Sequence, residues 1–165
     1  MKLTIKALFV AAFMMVGATV FAQNIGYVSY MELIEAMPEK AQADKQLEKY
    51  AQSLDQQRKE MEQEYSLKLA KLQGEADSLS EAVLQIRAKE LQDLEARINA
   101  FGQAAQQDIV NKRESLYEPI ITKVDDAIKE VAQENGLKYV LEENSVLYAD
   151  ENENITAAVR TKLGL

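Results

Sequence analysis

The sequence predicts an α+β, mainly α chain: a long antiparallel helical hairpin, a coiled-coil tentacle, standing on a small β base. Two observations set this class. The stretch from Pro38 to Asn135 reads as helix with a single interruption near Gly74. Strand-like runs lie only outside it, at Ile25–Tyr30, Leu137–Leu141 and Val146–Ala149.

The chain opens with a separate unit. Lys2 and Lys6 form a basic start, Ala7 to Val16 an apolar run, and Val20-Phe21-Ala22 a small-residue cleavage pattern. This predicts a secretory signal peptide over residues 1–22, too short in its apolar run for a stable membrane anchor. The mature chain would begin near Gln23. It contains no cysteine, hence no lipidated thiol, disulfide or thiolate chemistry.

In the mature chain, Ile25, Tyr27 and Val28 favour strand, and a short helix, Met31 to Ala36, is expected to follow. The arm then starts at Pro38, whose missing N–H suits a first helical turn. Leu47, Tyr50, Leu54, Met61, Tyr65, Leu69 and Leu72 form one stripe at helical spacing. On the returning helix Leu91, Leu94, Ile98, Phe101 and Ala105 alternate steps of three and four, the spacing of a coiled-coil seam. Two such narrow stripes separated by a breaker are expected to fold back and zip together, leaving most of the arm wet.

The turn is placed by Gly74, which lowers helix propensity by about 1 kcal/mol relative to Ala, and by Asp77, Ser78 and Ser80. Ser78 or Ser80 is expected to cap the returning helix. Pro119 falls inside a continuing apolar pattern, where it should kink or break the helix; with Pro38 it marks the foot of an arm roughly 50 Å long. The expected organisation is therefore an arm at 38–118 with its tip near 74–80, and a base at 23–37 and 119–165.

In the base, Ile120, Ile121, Val124, Ile128 and Val131 give a broader apolar face than the arm's, stopped by Gly136. Leu137–Leu141 and Val146–Ala149 read as two strands joined through Glu143-Asn144-Ser145. A final helix, Ile155 to Leu163, would be capped by Asn154 and present Ile155, Ala158, Val159 and Leu163 on one face. Three short strands make a poor core for one copy and leave open edges, so oligomerisation, with sheets joining into a closed barrel, is the expected remedy.

Composition excludes several functions. Without Lys2 and Lys6 the chain has 17 basic and 27 acidic residues, a net charge of −10, which argues against nucleic acid as a partner. There is no histidine or cysteine, no phosphate-cradling Gly-Lys-Ser/Thr loop and no dinucleotide fingerprint, so no catalytic residue, cofactor site or metal site is predicted. Glu142 to Glu153 holds five acids and no base, but without the spacing of a calcium loop; solubility is the expected role.

The order of elements resembles the Skp/OmpH family of periplasmic chaperones. The resemblance rests on Ile25-Gly26-Tyr27-Val28, the long hairpin, Asn135-Gly136-Leu137-Lys138-Tyr139-Val140-Leu141-Glu142, Val146-Leu147-Tyr148 and Asn154-Ile155-Thr156-Ala157-Ala158-Val159. It implies a homotrimer in the periplasm whose strands close a shared barrel, with three hairpins around a cavity that holds unfolded outer-membrane proteins without ATP. Ile25, Tyr27, Val28, Tyr139, Val140, Leu141, Val146 and Tyr148 are then candidates for the trimer base. Leu67, Leu79, Val83, Leu84 and Ile86, near the tip or off the seam, are candidates for client contact, with packing inside the tip as the alternative role of each. Familiar members carry strongly basic arms; this chain is acidic, so lipopolysaccharide binding is not carried over. A structural spacer of the cell envelope is the competing class, but it needs an anchor that the sequence does not supply.

Overall fold

The computed structural model describes residues 24–165. The expected signal peptide lies outside them. In chain order the elements are β1 (Ile25–Val28), α1 (Tyr30–Ala36), α2 (Pro38–Glu75), α3 (Glu81–Glu134), β2 (Tyr139–Glu142) and α4 (Thr156–Leu163), with short 3-10 turns at Ala76–Ser78, Glu143–Ser145 and Glu151–Glu153. The chain is mainly helical, with one two-stranded sheet.

β1 and β2 pair in parallel, with Ile25 opposite Tyr139 and Val28 opposite Glu142. Parallel neighbours cannot be joined by a tight turn, so a long connection must carry the chain back to its starting end. Here that connection is the whole hairpin. α2 leaves the base through Pro38 in its first turn and runs for 38 residues, roughly 55 Å. α3 returns over 54 residues and continues into the base.

The two helices meet along the narrow stripes. Leu54, Leu91 and Leu94 are buried, while Leu47, Tyr50, Met61, Tyr65, Leu69, Leu72, Ile98, Phe101 and Ala105 are half-buried. At the tip, Ser80 stands at the N-cap of α3 but its side chain makes no cap hydrogen bond; Ser78 instead donates to the Glu75 carbonyl at 2.8 Å. The expected serine cap is therefore absent. Arg87 and Glu75, 3.6 Å apart, tie the turn across its mouth.

Pro119 does not end the helix. α3 passes through it because residues on both sides belong to one core: Leu116 and Tyr117 before it, Ile120, Val124, Ala127 and Val131 after it. Packing of these side chains offsets the backbone bond that proline cannot donate. Ile121, expected on the inner face, is instead exposed.

The base is better filled than the strand pattern suggested. Val28, Leu33, Ile34, Met37, Ala43, Ile155 and Val159 join the α3 residues in one buried cluster, so a single chain has its own core. Gly26 permits it: a Cβ there would lie 2.6 Å from the Leu137 side chain. Gly136, at φ 63°, ends α3 in a Schellman turn, with Leu137 N–H donating to the Ala132 carbonyl at 2.8 Å and Gly136 N–H to that of Gln133 at 3.1 Å.

The expected third strand does not form. After β2 comes the 3-10 turn at Glu143–Ser145, and residues 146–149 run on without strand pairing, near Tyr27. The other edge of β1 is taken by residues 154–155, where Ile155 N–H donates to the Tyr27 carbonyl at 2.9 Å. α4 follows, with the Asn154 side chain accepting from Thr156 N–H at 2.9 Å and the Thr156 hydroxyl accepting from Ser29 N–H at 2.9 Å. Thr156 is thereby buried, whereas Ala158, expected on the inner face, is exposed.

Two tyrosines lock helices together through carboxylates. Tyr30 donates to Asp125 at 3.0 Å and Tyr117 donates to Asp44. Burial first, then the Asp125 bond, pushes the Tyr30 phenol up to about 12. The fold thus favours the neutral phenol, so this contribution is complete below pH ~10 and is lost as pH rises toward 12. Tyr30→Phe should cost about 1 kcal/mol at neutral pH and flatten the alkaline fall in stability between pH ~10 and ~12, read from denaturant midpoints at each pH.

Candidate functional site

With no cofactor-binding chemistry in the sequence, the surfaces able to act are apolar ones left uncovered. Among the described residues no group of three or more His, Cys, Asp or Glu side chains is placed to hold a metal ion, and no helix is long and apolar enough to cross a membrane. Among the described residues three such regions hold the candidate residues or a groove: the outer arm, the middle of the arm and the outer face of the sheet.

On the outer arm the five candidate residues divide. Leu67 and Ile86 are 65% and 59% exposed, on α2 and α3 respectively. Leu79, Val83 and Leu84 are half-buried around the tip. Leu67 stands beside the Lys68–Glu64 pair (2.8 Å), and Ile86 beside Arg87. Each exposed side chain therefore sits alone among charges. Such points can add weak contacts to a partner chain without forming a pocket.

Halfway out, a groove that sequence reasoning missed lies along α2 and α3. Leu54 and Ala51 face Ile98, Phe101, Ala105 and Ile109 across it, with Gly102 between. Its signal was the seven-residue step from Leu54 to Met61, which puts Arg58 where the stripe needs an apolar side chain. Arg58 turns along its own helix to Asp55 at 2.9 Å and to Glu62. Lys59 and Arg58 together hold the Asp55 carboxyl below the usual carboxylate range.

The sheet presents the third region. Paired residues of parallel strands share a face, so Val28 and Val140 point to the core while Ile25, Tyr27, Tyr139 and Leu141 point away from it. Ile25 and Tyr27 are half-buried; Tyr139 and Leu141 are 60% and 43% exposed. Val146 is half-buried, and Tyr148 and its neighbour Leu147, which the candidate set omitted, are almost fully exposed beside Tyr27. Of the eight base candidates, then, Val28 and Val140 serve the chain's own core and the other six line or border an uncovered face. The free edge of β2 adjoins it.

Comparison with known proteins gives consistent relatives. Residues 24–163 match the family model described as outer membrane protein (OmpH-like). The chain is 28% identical over 145 residues to the chaperone protein Skp of Yersinia enterocolitica, covering 87% of each chain. It is 21% identical to Skp of Vibrio cholerae over 164 residues, 96% of this chain and 97% of that one. Among solved structures, an OmpH-like protein from Caulobacter crescentus CB15 superimposes with a TM-score of 0.74 at 16% identity, over 85% of this chain and 83% of the other, a likeness of fold.

Seam and surface residues of the arm should separate cleanly in stability. Leu94, 1% exposed, should cost about 2–4 kcal/mol when replaced by Ala, whereas Leu67→Ala should change stability by no more than about 0.5 kcal/mol. Thermal unfolding of the two variants checks this; equal losses would mean that Leu67 packs in the hairpin.

Proposed function

Because the chain belongs to the OmpH-like outer membrane protein family, whose curated relatives are chaperones and not enzymes, we propose that it is an ATP-independent periplasmic holdase for unfolded outer-membrane proteins. On this reading the signal peptide over residues 1–22 is cleaved, and the mature chain works as a homotrimer whose sheets close into a barrel. Three hairpins then surround a cavity in which a client is kept from aggregating.

One observation carries the trimer. Ile25, Tyr27, Tyr139 and Leu141 form an aromatic and aliphatic sheet face that the chain covers only in part, next to an unpaired strand edge. Copies that pair through such edges and close a barrel remove both liabilities at once. Val140, already packed on the core of its own chain, is a poor probe of that interface. Tyr139 and Leu141 are better ones.

The arm suits holding without an energy source. Its helices are polar over most of their surface and offer scattered apolar points, so a client meets many weak contacts in place of one strong one. Each contact can be lost singly, and release then needs no coupled reaction. The decisive experiment is to dilute a urea-unfolded outer-membrane β-barrel protein into buffer with and without the mature protein and follow light scattering. Suppressed aggregation supports the holdase; undiminished aggregation leaves a structural spacer of the envelope as the better account.

The parent protein should sediment at three times the chain mass. Tyr139→Asp with Leu141→Asp should dissociate it to single copies that keep their helical circular dichroism, because each carboxylate buried without a partner costs several kcal/mol. A parent that sediments as a folded single copy would overturn the assembly.

Charge sets a further expectation. With the mature chain at −10, acidic clients are repelled at long range, and salt screens that repulsion. Affinity for an acidic unfolded barrel protein should hold or rise slightly up to about 0.3 M salt. A steep fall would assign holding to local basic clusters such as Lys112-Arg113 or Arg58-Lys59.

A further inference from the structure

The groove halfway along the arm has a volume of about 750 Å³ and an apolar floor formed by Leu54, Ile98, Phe101, Ala105 and Ile109. Two residues leave its floor uncovered. Arg58 stands where the stripe would place an apolar side chain, and its guanidinium is occupied by Asp55 and Glu62 of its own helix. Opposite, Gly102 lies in the interior of α3, and a Cβ added there would meet no atom within 4 Å.

Glycine inside a helix weakens it relative to alanine, so its presence calls for a reason. Gly26 and Gly136 are accounted for by the chain's own fold, one by the close approach of Leu137 and the other by its positive φ. Among the described residues nothing lies within 4 Å of the position of a Gly102 side chain, and the space above it is open.

We propose that the Gly102 groove is a docking site for an extended segment of the unfolded client, which lays an aliphatic or aromatic side chain over Gly102. The proposal rests on the holdase reading above. Charge selects the occupant. Arg58 and Lys59 together balance Asp55 and Glu62, and the α3 rim is formed by the exposed amides of Asn99, Gln103 and Gln106. The groove thus has no uncompensated charge to attract an ion, but it has donors and acceptors for peptide groups on either side of an apolar side chain. An outer-membrane strand, apolar at every second position and polar between, matches that chemistry; the charged face of a second arm does not.

The test uses the mature chain and a urea-unfolded outer-membrane β-barrel protein captured on dilution. Gly102→Leu fills the groove with a good helix former in open space, so the fold is retained and affinity should fall about tenfold, with a smaller loss for Gly102→Ala. A folded Gly102→Leu variant that binds as the parent does overturns the docking site alone. A parent that captures no client overturns the holdase reading and the groove with it.

A direct readout does not depend on the leucine variant. The sequence has no cysteine, so Gln103→Cys can carry an environment-sensitive fluorophore without competition. Its emission should shift to the blue when client is added, while a label at Gln63→Cys, on the side of α2 away from Leu54, should not respond. Equal shifts at the two positions would mean contact spread evenly over the arm and would overturn the groove.

Discussion

The parallel pairing of β1 with β2 is the constraint on which the architecture depends. It sets Ile25 beside Tyr139 and obliges everything between them to leave the base and return to it. A hairpin of two helices meets this requirement when its arms are similar in length, and the turn at 76–80 divides them accordingly. The feet are then tied by side chains: Lys123 to Glu39 at 2.7 Å, and Lys40 to both Asp44 and Glu35, with Tyr117 donating to Asp44 from the returning helix. Exposed ion pairs contribute little individually. Their position matters more, because they join α2 to α3 and to α1 at the level where the arm meets the core.

Features written in local spacing were legible in the sequence. The stripes on both arm helices need only the three- and four-residue steps of Leu91, Leu94 and Ile98 to be seen, and Leu91 and Leu94 are buried as that spacing implies. The stop at Gly136 is likewise a local matter of φ. What depends on distant partners was not legible. Residues 146–149 have strand-like composition, but the 3-10 turn at Glu143–Ser145 follows β2 directly and they pair with neither strand, while the outer side of β1 is taken by Asn154 and Ile155. Pro119 does not break the helix for the same reason, since its local cost is plain and the core that offsets it is assembled from residues far away, such as Val28, Leu33 and Val159. For the candidate surface, exposure at Leu67 and Ile86 is consistent with their off-stripe positions, whereas the groove beside Leu54 depends on how residues 51–62 and 98–109 of two helices sit against each other.

The acidic balance acts mostly through local structure. Asp150 accepts from the backbone and the side chain of Asn152 and so fixes the turn before α4. Glu32 pairs with Arg160 at 2.8 Å, and Glu130 and Glu134 share Lys162, each at 2.8 Å, which fastens α4 to α1 and α3. Lys162 consequently holds its proton more tightly than a free lysine, through those two carboxylates. Acids in the 142–153 segment therefore serve turns and solvation around the partly uncovered sheet face, with Val146, Leu147 and Tyr148 between them. A segment of this kind, wet at its rim and apolar within, has the anatomy of a surface that joins another copy.

Base and arm are held by different amounts of buried surface, and this difference bears on holding. The base has eleven buried residues in one cluster drawn from β1, α1, α2, α3, α4 and the residues between them, so no part of it can open without disturbing several others. Beyond the foot, the arm has Leu54, Leu91 and Leu94 fully buried along its length, and elsewhere only half-covered side chains. Local opening costs roughly the burial it undoes, so the arm can part along its seam at a free energy well below that of unfolding the base. On the proposed holdase reading, a chain that adjusts to clients without fixed shape needs its contacts on the element that deforms most easily and its assembly surface on the element that deforms least. The distribution of buried residues puts the groove and the exposed leucine and isoleucine on the first, and the aromatic sheet face on the second.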